Sequence, residues 1–224
     1  MARKRGGLKS FKALWLAHEK LYQEIFARAL EKLKPTKQQC KHEDRISEAL
    51  GLILVEVCFE DERDVTTPYW ECPKNPVNTD ELKGGKKSKI PDFTCKCLDA
   101  NADSAETYEI PLHIECKKLG KKQGSWNLNR NYVRNGIFRF DTTSHEYGKR
   151  ASSGMMIGYI INTDPKDILE DVNQYLNEYI PQLNFTFSRK ISSCEQPFSR
   201  KQVKPASFKL IHLWKDFSSV MNSV

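Results

Sequence analysis

The chain has 224 residues, 39% of them apolar and 29% charged, with a formal net charge of +7. That length provides for one domain with an ample core, or one domain with an appendage, and the charge favours a polyanionic partner. Seven cysteines without a C-x-x-C pair speak against a disulfide scaffold and a zinc ribbon. No apolar stretch approaches the about eighteen residues a membrane span needs, and no apolar h-region follows the basic N-terminus. The expectation is a soluble, reduced, cytoplasmic protein with no membrane partner.

In chain order, Met1 to Gly7 is a basic tail. Phe11 to Lys34 reads as a helix closed by Pro35, with Leu14, Ala17, Leu21, Ile25, Leu30 and Leu33 on one side. Trp15, Tyr22 and Phe26 widen that stripe, so this helix either packs on the domain or meets a second subunit. Residues 1–40 are thus a tail and helix packed on or extending the core, and 41–224 form the main domain. A second helix starts after His42, where Ile46, Ala49, Leu50, Ile53, Leu54 and Val57 recur at helical spacing. Stepping roughly 100° per residue, Glu43 falls on the face of Ile46 and Leu50, with Glu48 nearly opposite. Glu43 also sits where a carboxylate complements the helix N-terminus, which would justify it without any further role.

From Glu60 to Gly85 the prolines, acids, Asn and Gly mark a long irregular insertion. Tyr69 and Trp70 within it either stack on bases or anchor the loop to the body. Next come two strands: Lys89 to Cys97, and Leu112 to Lys118, joined by a polar turn from Asp99 to Thr107. Phe93, Cys95 and Cys97 share one face of the first; Leu112, Ile114 and Cys116 share one face of the second. If those faces meet one core, Asp92, Glu115 and Lys117 converge on the other side. Two carboxylates can hold a hard divalent cation, and an ammonium beside them can orient a water, which is equipment for phosphodiester hydrolysis. The plainer role for Lys117 is a salt bridge with Glu115 or a neighbour. His113 shares that face and either touches phosphate or is structural.

Lysines crowd both strands. Lys83, Lys86, Lys87 and Lys89 lead into the first, and Lys117, Lys118, Lys121 and Lys122 lead out of the second. Such runs are usually solvated faces; flanking the proposed site on both sides, these read either as that or as a track for a phosphate backbone, which their placement favours. From Asn129 to Tyr147, Tyr132, Gly136, Ile137 and Phe140 indicate helical turns, with Arg130, Arg134 and Arg139 available for phosphates. Met155 to Ile161 is nearly all apolar, the mark of a central strand covered on both faces. Asp164-Pro165 opens a helix whose inner face is Ile168, Val172, Tyr175, Leu176 and Tyr179, ending at Pro181. A polar stretch from Ser188 to Pro205 leads to a last strand with Phe208, Leu210, His212 and Trp214 on one side.

Pro91-Asp92 followed by Glu115-Cys116-Lys117 resembles the signature of the PD-(D/E)xK nuclease superfamily, over a region from about Glu43 to about Tyr179. The resemblance implies an α/β fold: a mixed central β-sheet flanked by helices, a restriction-endonuclease-like core, here with an extra N-terminal helix. That core needs one strand more than the pattern places, either at Ile53 to Phe59 or within the insertion. The resemblance also implies a Mg²⁺-dependent (or Mn²⁺-dependent) phosphodiesterase. Asp92, Glu115 and the Cys116 carbonyl would coordinate the ion, with Glu43 assisting and Lys117 positioning the attacking water. Tyr132 and Arg139 would support the site from beneath. The implied activity is that of a DNA endonuclease of a restriction or anti-phage defence system, acting on nucleic acid, most simply double-stranded DNA, as a homodimer or with a defence partner protein. The alternative is a subunit that keeps the fold and binds nucleic acid or a partner without cutting.

Overall fold

Among the described residues six strands form one mixed sheet, in which the strands counted along the chain lie in the order first, second, third, fourth, sixth, fifth. The structure, a computed structural model, describes residues 11–74, 76, 81, 89–179 and 193–222. The basic tail, Lys83, Lys86, Lys87 and Pro181 lie outside the described residues. The elements are α1 (Phe11–Lys32), α2 (Lys37–Cys40), α3 (Glu43–Phe59), β1 (Tyr69–Trp70), β2 (Phe93–Leu98), α4 (Ala105–Tyr108), β3 (Glu109–Leu119), α5 (Leu128–Arg134), β4 (Ser153–Ile160), α6 (Pro165–Tyr179), β5 (Ser193–Ser199), β6 (Ser207–Asp216) and α7 (Ser218–Asn222). A 3-10 turn, Ile137–Asp141, follows α5.

The period-2 pattern of the two motif strands decides their pairing. β2 and β3 run antiparallel with Phe93 opposite Ile114 and Cys95 opposite Leu112. Their apolar faces therefore meet one core, together with α1, α3 and the odd-numbered residues Met155, Ile157 and Tyr159 of β4. A second core lies on the other face, where Tyr132, Val133, Ile137 and Phe140 join Met156 and the Ile168, Val172 and Leu176 stripe of α6. A sheet covered on both faces buries every residue of β4, as an unbroken apolar run requires. β4 is parallel to both β3 and β6, while β1 and β5 are antiparallel edge strands. This is the α/β architecture expected, a mixed sheet flanked by helices.

Three readings need correction. Ile53 to Phe59 is helical, since α3 continues unbroken to Phe59 and Leu54 and Val57 keep its inner face. The additional strands are β1, two residues inside the insertion, and β5, inside the stretch read as polar linker. β5 carries only Gln196 and Phe198 inward, so its edge position gave it too few apolar residues to announce a strand. The buried stripe of α1 is also turned toward its aromatics. Trp15, Tyr22 and Phe26 are at most 3% exposed, whereas Ala17 is exposed. Trp15 donates its indole N–H to Ser153 Oγ at 3.0 Å, which fixes α1 to the central strand. Among the described residues no helix is long and apolar enough to cross a membrane.

Candidate active site

The two halves of the motif meet through the backbone. Asp92, the residue before β2, accepts the N–H of Cys116 on β3 at 2.5 Å. Beside it, Glu115 is fully buried and Lys117 is 5% exposed. The Lys117 ammonium lies 2.7 Å from Glu115 Oε1, 2.8 Å from Glu43 Oε1 and 2.7 Å from the Cys116 carbonyl. Glu43, in the first turn of α3, accepts the N–H of Lys118 at 2.8 Å with its other oxygen. Arg139, from the 3-10 turn, donates to the same Glu115 oxygen that Lys117 holds. Glu115 Oε2 is buried and has no hydrogen-bond partner among the described residues.

Gly136 makes room for this arrangement. A side-chain carbon at that position would sit 2.4 Å from the Tyr132 carbonyl oxygen, 2.5 Å from Met156 Cε and 3.3 Å from Lys117 Cγ. Hydrogen here is the only side chain that lets the turn carrying Arg139 close down on the lysine stem.

Burial sets the electrostatics. It pushes the Glu115 carboxyl up to about 8, against the pull of Lys117 and Arg139. Asp92 is raised for the same reason, with Lys117 and the Cys116 N–H opposing. Burial works against the charge on Lys117, yet Glu115, Glu43 and Asp92 outweigh it and hold the proton well above the ordinary lysine value. In a medium of effective dielectric near 20, unit charges about 4 Å apart attract by about 4 kcal/mol, and removing such ions from water costs several kcal/mol each. The two nearly cancel, so the cluster adds little to folding and instead positions its charges.

Oxygen donors of this kind suit Mg²⁺ or Mn²⁺, and the free Oε2 of Glu115 is an acceptor of the sort a hard cation takes. Asp92, Glu115 and the Cys116 carbonyl are the residues that would hold it. Among the described residues no three His, Cys, Asp or Glu side chains gather at metal-binding spacing. A magnesium ion needs only one or two carboxylates when water and substrate phosphate complete its shell, so the donor set fits. Glu43 engages both oxygens elsewhere, with Lys117 and the Lys118 N–H.

The other candidates divide. Tyr132 is in the core: its hydroxyl bonds His212 Nδ1 at 2.8 Å and receives the Trp214 indole N–H at 3.0 Å, away from the carboxylates. That corrects its supporting role, whereas Arg139 touches Glu115 directly. His113 is buried and accepts the Gly148 N–H through Nδ1 at 3.0 Å. Burial, then Lys74 and Arg150, lower its pKa to about 3, so it is neutral, and its buried ring serves the fold. Lys118 is half-buried and bonds the Lys41 carbonyl and Gln123 Oε1. Lys121, Lys122, Arg130 and Arg134 are exposed, although Arg130 rests its guanidinium on the Tyr179 hydroxyl. Tyr69 and Trp70 form β1, and the Lys96 ammonium lies 5.2 Å from the Tyr69 ring centroid, so this pair anchors the insertion.

A cleft of about 620 Å³ opens over Glu43, Lys117 and Arg139. Its outer wall holds Trp126, Asn131 and Asn135, which the sequence reading missed. The only signal for them was an aromatic just after the glycine of a turn. Comparison with protein-family models, with curated proteins and with solved structures gives no match in any of the three.

Proposed function

We propose that the chain is a metal-dependent nuclease that hydrolyses phosphodiester bonds, with DNA as substrate, of the PD-(D/E)xK kind. The observation that carries this reading is the convergence of Glu43, Asp92, Glu115 and Lys117, from three separate segments of the chain, beside a cleft that Glu43 and Lys117 line. A buried carboxylate oxygen with no hydrogen-bond partner among the described residues, beside a lysine held in its charged form, does little for folding. Such arrangements are kept where charge has work to do on a ligand.

A bound divalent cation would supply charge to the scissile phosphate and lower the pKa of a water. The chain's own residues do the rest. Lys117, held from three sides, offers a fixed ammonium to a phosphate oxygen as negative charge builds on it. Arg139 steadies Glu115 and, being partly exposed, reaches the mouth of the cleft. Exposed Lys121, Lys122 and Arg134 give the backbone of the nucleic acid a positive path beside it. A place in restriction or anti-phage defence, and a homodimer, rest on the resemblance alone.

One observation favours a second reading, a domain that binds nucleic acid without cutting. The Lys117 ammonium already pairs with Glu115 and Glu43, and Arg139 with Glu115, so two cations face these carboxylates without any metal. Incubating the protein with plasmid and with single-stranded DNA, in Mg²⁺, Mn²⁺ or EDTA, separates the two. Cleavage that needs the ion and vanishes in Asp92→Ala and Glu115→Ala supports the nuclease. Retention of DNA without any cleavage leaves the binding domain.

A further inference from the structure

Trp126 is 65% exposed, the most exposed of the four tryptophans; Trp15 and Trp214 are core residues and Trp70 belongs to β1. What sets it apart from other exposed apolar side chains is its place on the wall of the cleft, where an amphipathic ring can be packed on. Its mounting is rigid. Gln123 and Trp126 exchange both backbone hydrogen bonds, at 2.9 and 3.0 Å, around a tight turn whose Gly124 has φ +58°. Below the turn, Gln123 Oε1 is held by the Lys118 ammonium at 3.1 Å. After it, Asn127 accepts the Arg130 N–H at the start of α5 and donates its amide to the Tyr175 hydroxyl at 2.8 Å. A ring carried on a backbone braced this way leaves only its own side-chain torsions to be ordered when something packs on it.

The surroundings say what that is. Trp126 lines the cleft that contains Glu43, Lys117 and Arg139, and also the neighbouring groove with Arg130 and Arg134. Asn131 and Asn135 lie in both. An aromatic face, amides that can meet a base edge, and cations for the flanking phosphates are what an unpaired nucleotide needs. In a duplex the base faces are covered by their neighbours, and this ring would find nothing to stack on.

We propose that Trp126 is a stacking platform for an unpaired nucleobase, so that the strand entering the cleft is single-stranded or locally opened. This rests on the nucleic-acid reading above, and names the substrate class for that site. In the unliganded protein the ring waits at the outer wall, and the base that lands on it brings the adjoining phosphate toward Lys117.

The test is binding in EDTA, which does not depend on cleavage. A labelled single strand and the blunt duplex of the same sequence are titrated with wild type, Trp126→Ala and Trp126→Phe. Trp126→Ala is expected to weaken single-strand binding by at least about fivefold, and Trp126→Phe by less than about threefold, because stacking is sequence-tolerant and any aromatic face serves. Duplex affinity should stay within about twofold, and the slope of log affinity against log salt should not change, since the indole neutralises no phosphate. In a Trp70→Phe background the single strand should quench tryptophan fluorescence and the duplex should not. Equal loss on both substrates, or no loss on the single strand, would overturn the stacking role while leaving the nucleic-acid reading in place. If wild type binds neither, both fall together.

Discussion

Asp92 and Cys116 are joined by a hydrogen bond from the Cys116 N–H to the Asp92 carboxylate, 2.5 Å long. The acid of the first motif half thus has a structural duty as well as its proposed chemical one, and the two separate by substitution. Asp92→Asn keeps an oxygen to accept that N–H, so stability should change by less than about 0.5 kcal/mol. Asp92→Ala leaves the amide without an acceptor and should cost about 1–3 kcal/mol. Both should abolish ion-dependent cleavage. Denaturant melts beside a cleavage assay check this; cleavage by Asp92→Asn at wild-type rate would remove Asp92 from the catalytic set.

Above about pH 8, where Glu115 is ionised, Lys117→Met should cost about 3–5 kcal/mol without metal, because the buried carboxylate loses its closest cation. Adding Glu115→Gln should restore most of it, a coupling that a double-mutant cycle measures directly. Turnover should disappear, yet DNA affinity in EDTA should fall by less than about tenfold, one phosphate contact among several. Replacing exposed Lys121 and Lys122 should instead leave stability unchanged and flatten the salt dependence.

Glu115 gives the pH dependence. Burial raises its carboxyl from 4.5 to about 8, so the folded state binds that proton more tightly than the unfolded chain. The stability it contributes is present below about pH 4.5 and is lost as pH rises toward 8. Buried His113 and His212, both lowered to about 3, slope the other way at acid pH. The difference between wild type and Glu115→Gln cancels them. The variant's melting temperature should therefore gain on wild type from pH 5 to pH 8, and a gain that shrinks over that range would refute the assignment. Mn²⁺ should raise the wild-type melting temperature most at the alkaline end, where the carboxylate is free to bind it.

Glu43→Gln and Glu48→Gln test the helix-face argument. Glu43 spends both oxygens on β3, while Glu48 pairs with Arg45 in a surface ion pair. Glu43→Gln should reduce cleavage by tenfold or more, on the order of 1.4 kcal/mol in the barrier. Glu48→Gln should leave rate and stability within error. The reverse ranking would sink the role given to Glu43.

What the sequence disclosed was local and periodic. Alternation put Asp92, Glu115 and Lys117 on one side of β2 and β3, and helical spacing chose Glu43 over Glu48; both hold in three dimensions. The same logic could not see that the far face is itself covered, which turns His113 and Tyr132 into core residues. Nor could it see β5, whose edge position demands few apolar side chains, or Trp126, whose meaning depends on a cleft assembled from distant segments. In the sequence Arg139 is one arginine among three, and only the turn after α5 distinguishes it.

The turn that carries Arg139 is tied down by residues some sixty positions later. Asp141 accepts the N–H groups of Lys201, Gln202 and Val203, and the buried Arg200 guanidinium donates to the carbonyls of Phe140, Tyr147 and Gly148. A chain interrupted before Arg200 would still contain Glu43, Asp92, Glu115 and Lys117, but not the clasp that holds an arginine against Glu115. The site is therefore finished only when the segment from Arg200 to Val203 has folded onto that turn, and a half-made molecule is an incomplete tool.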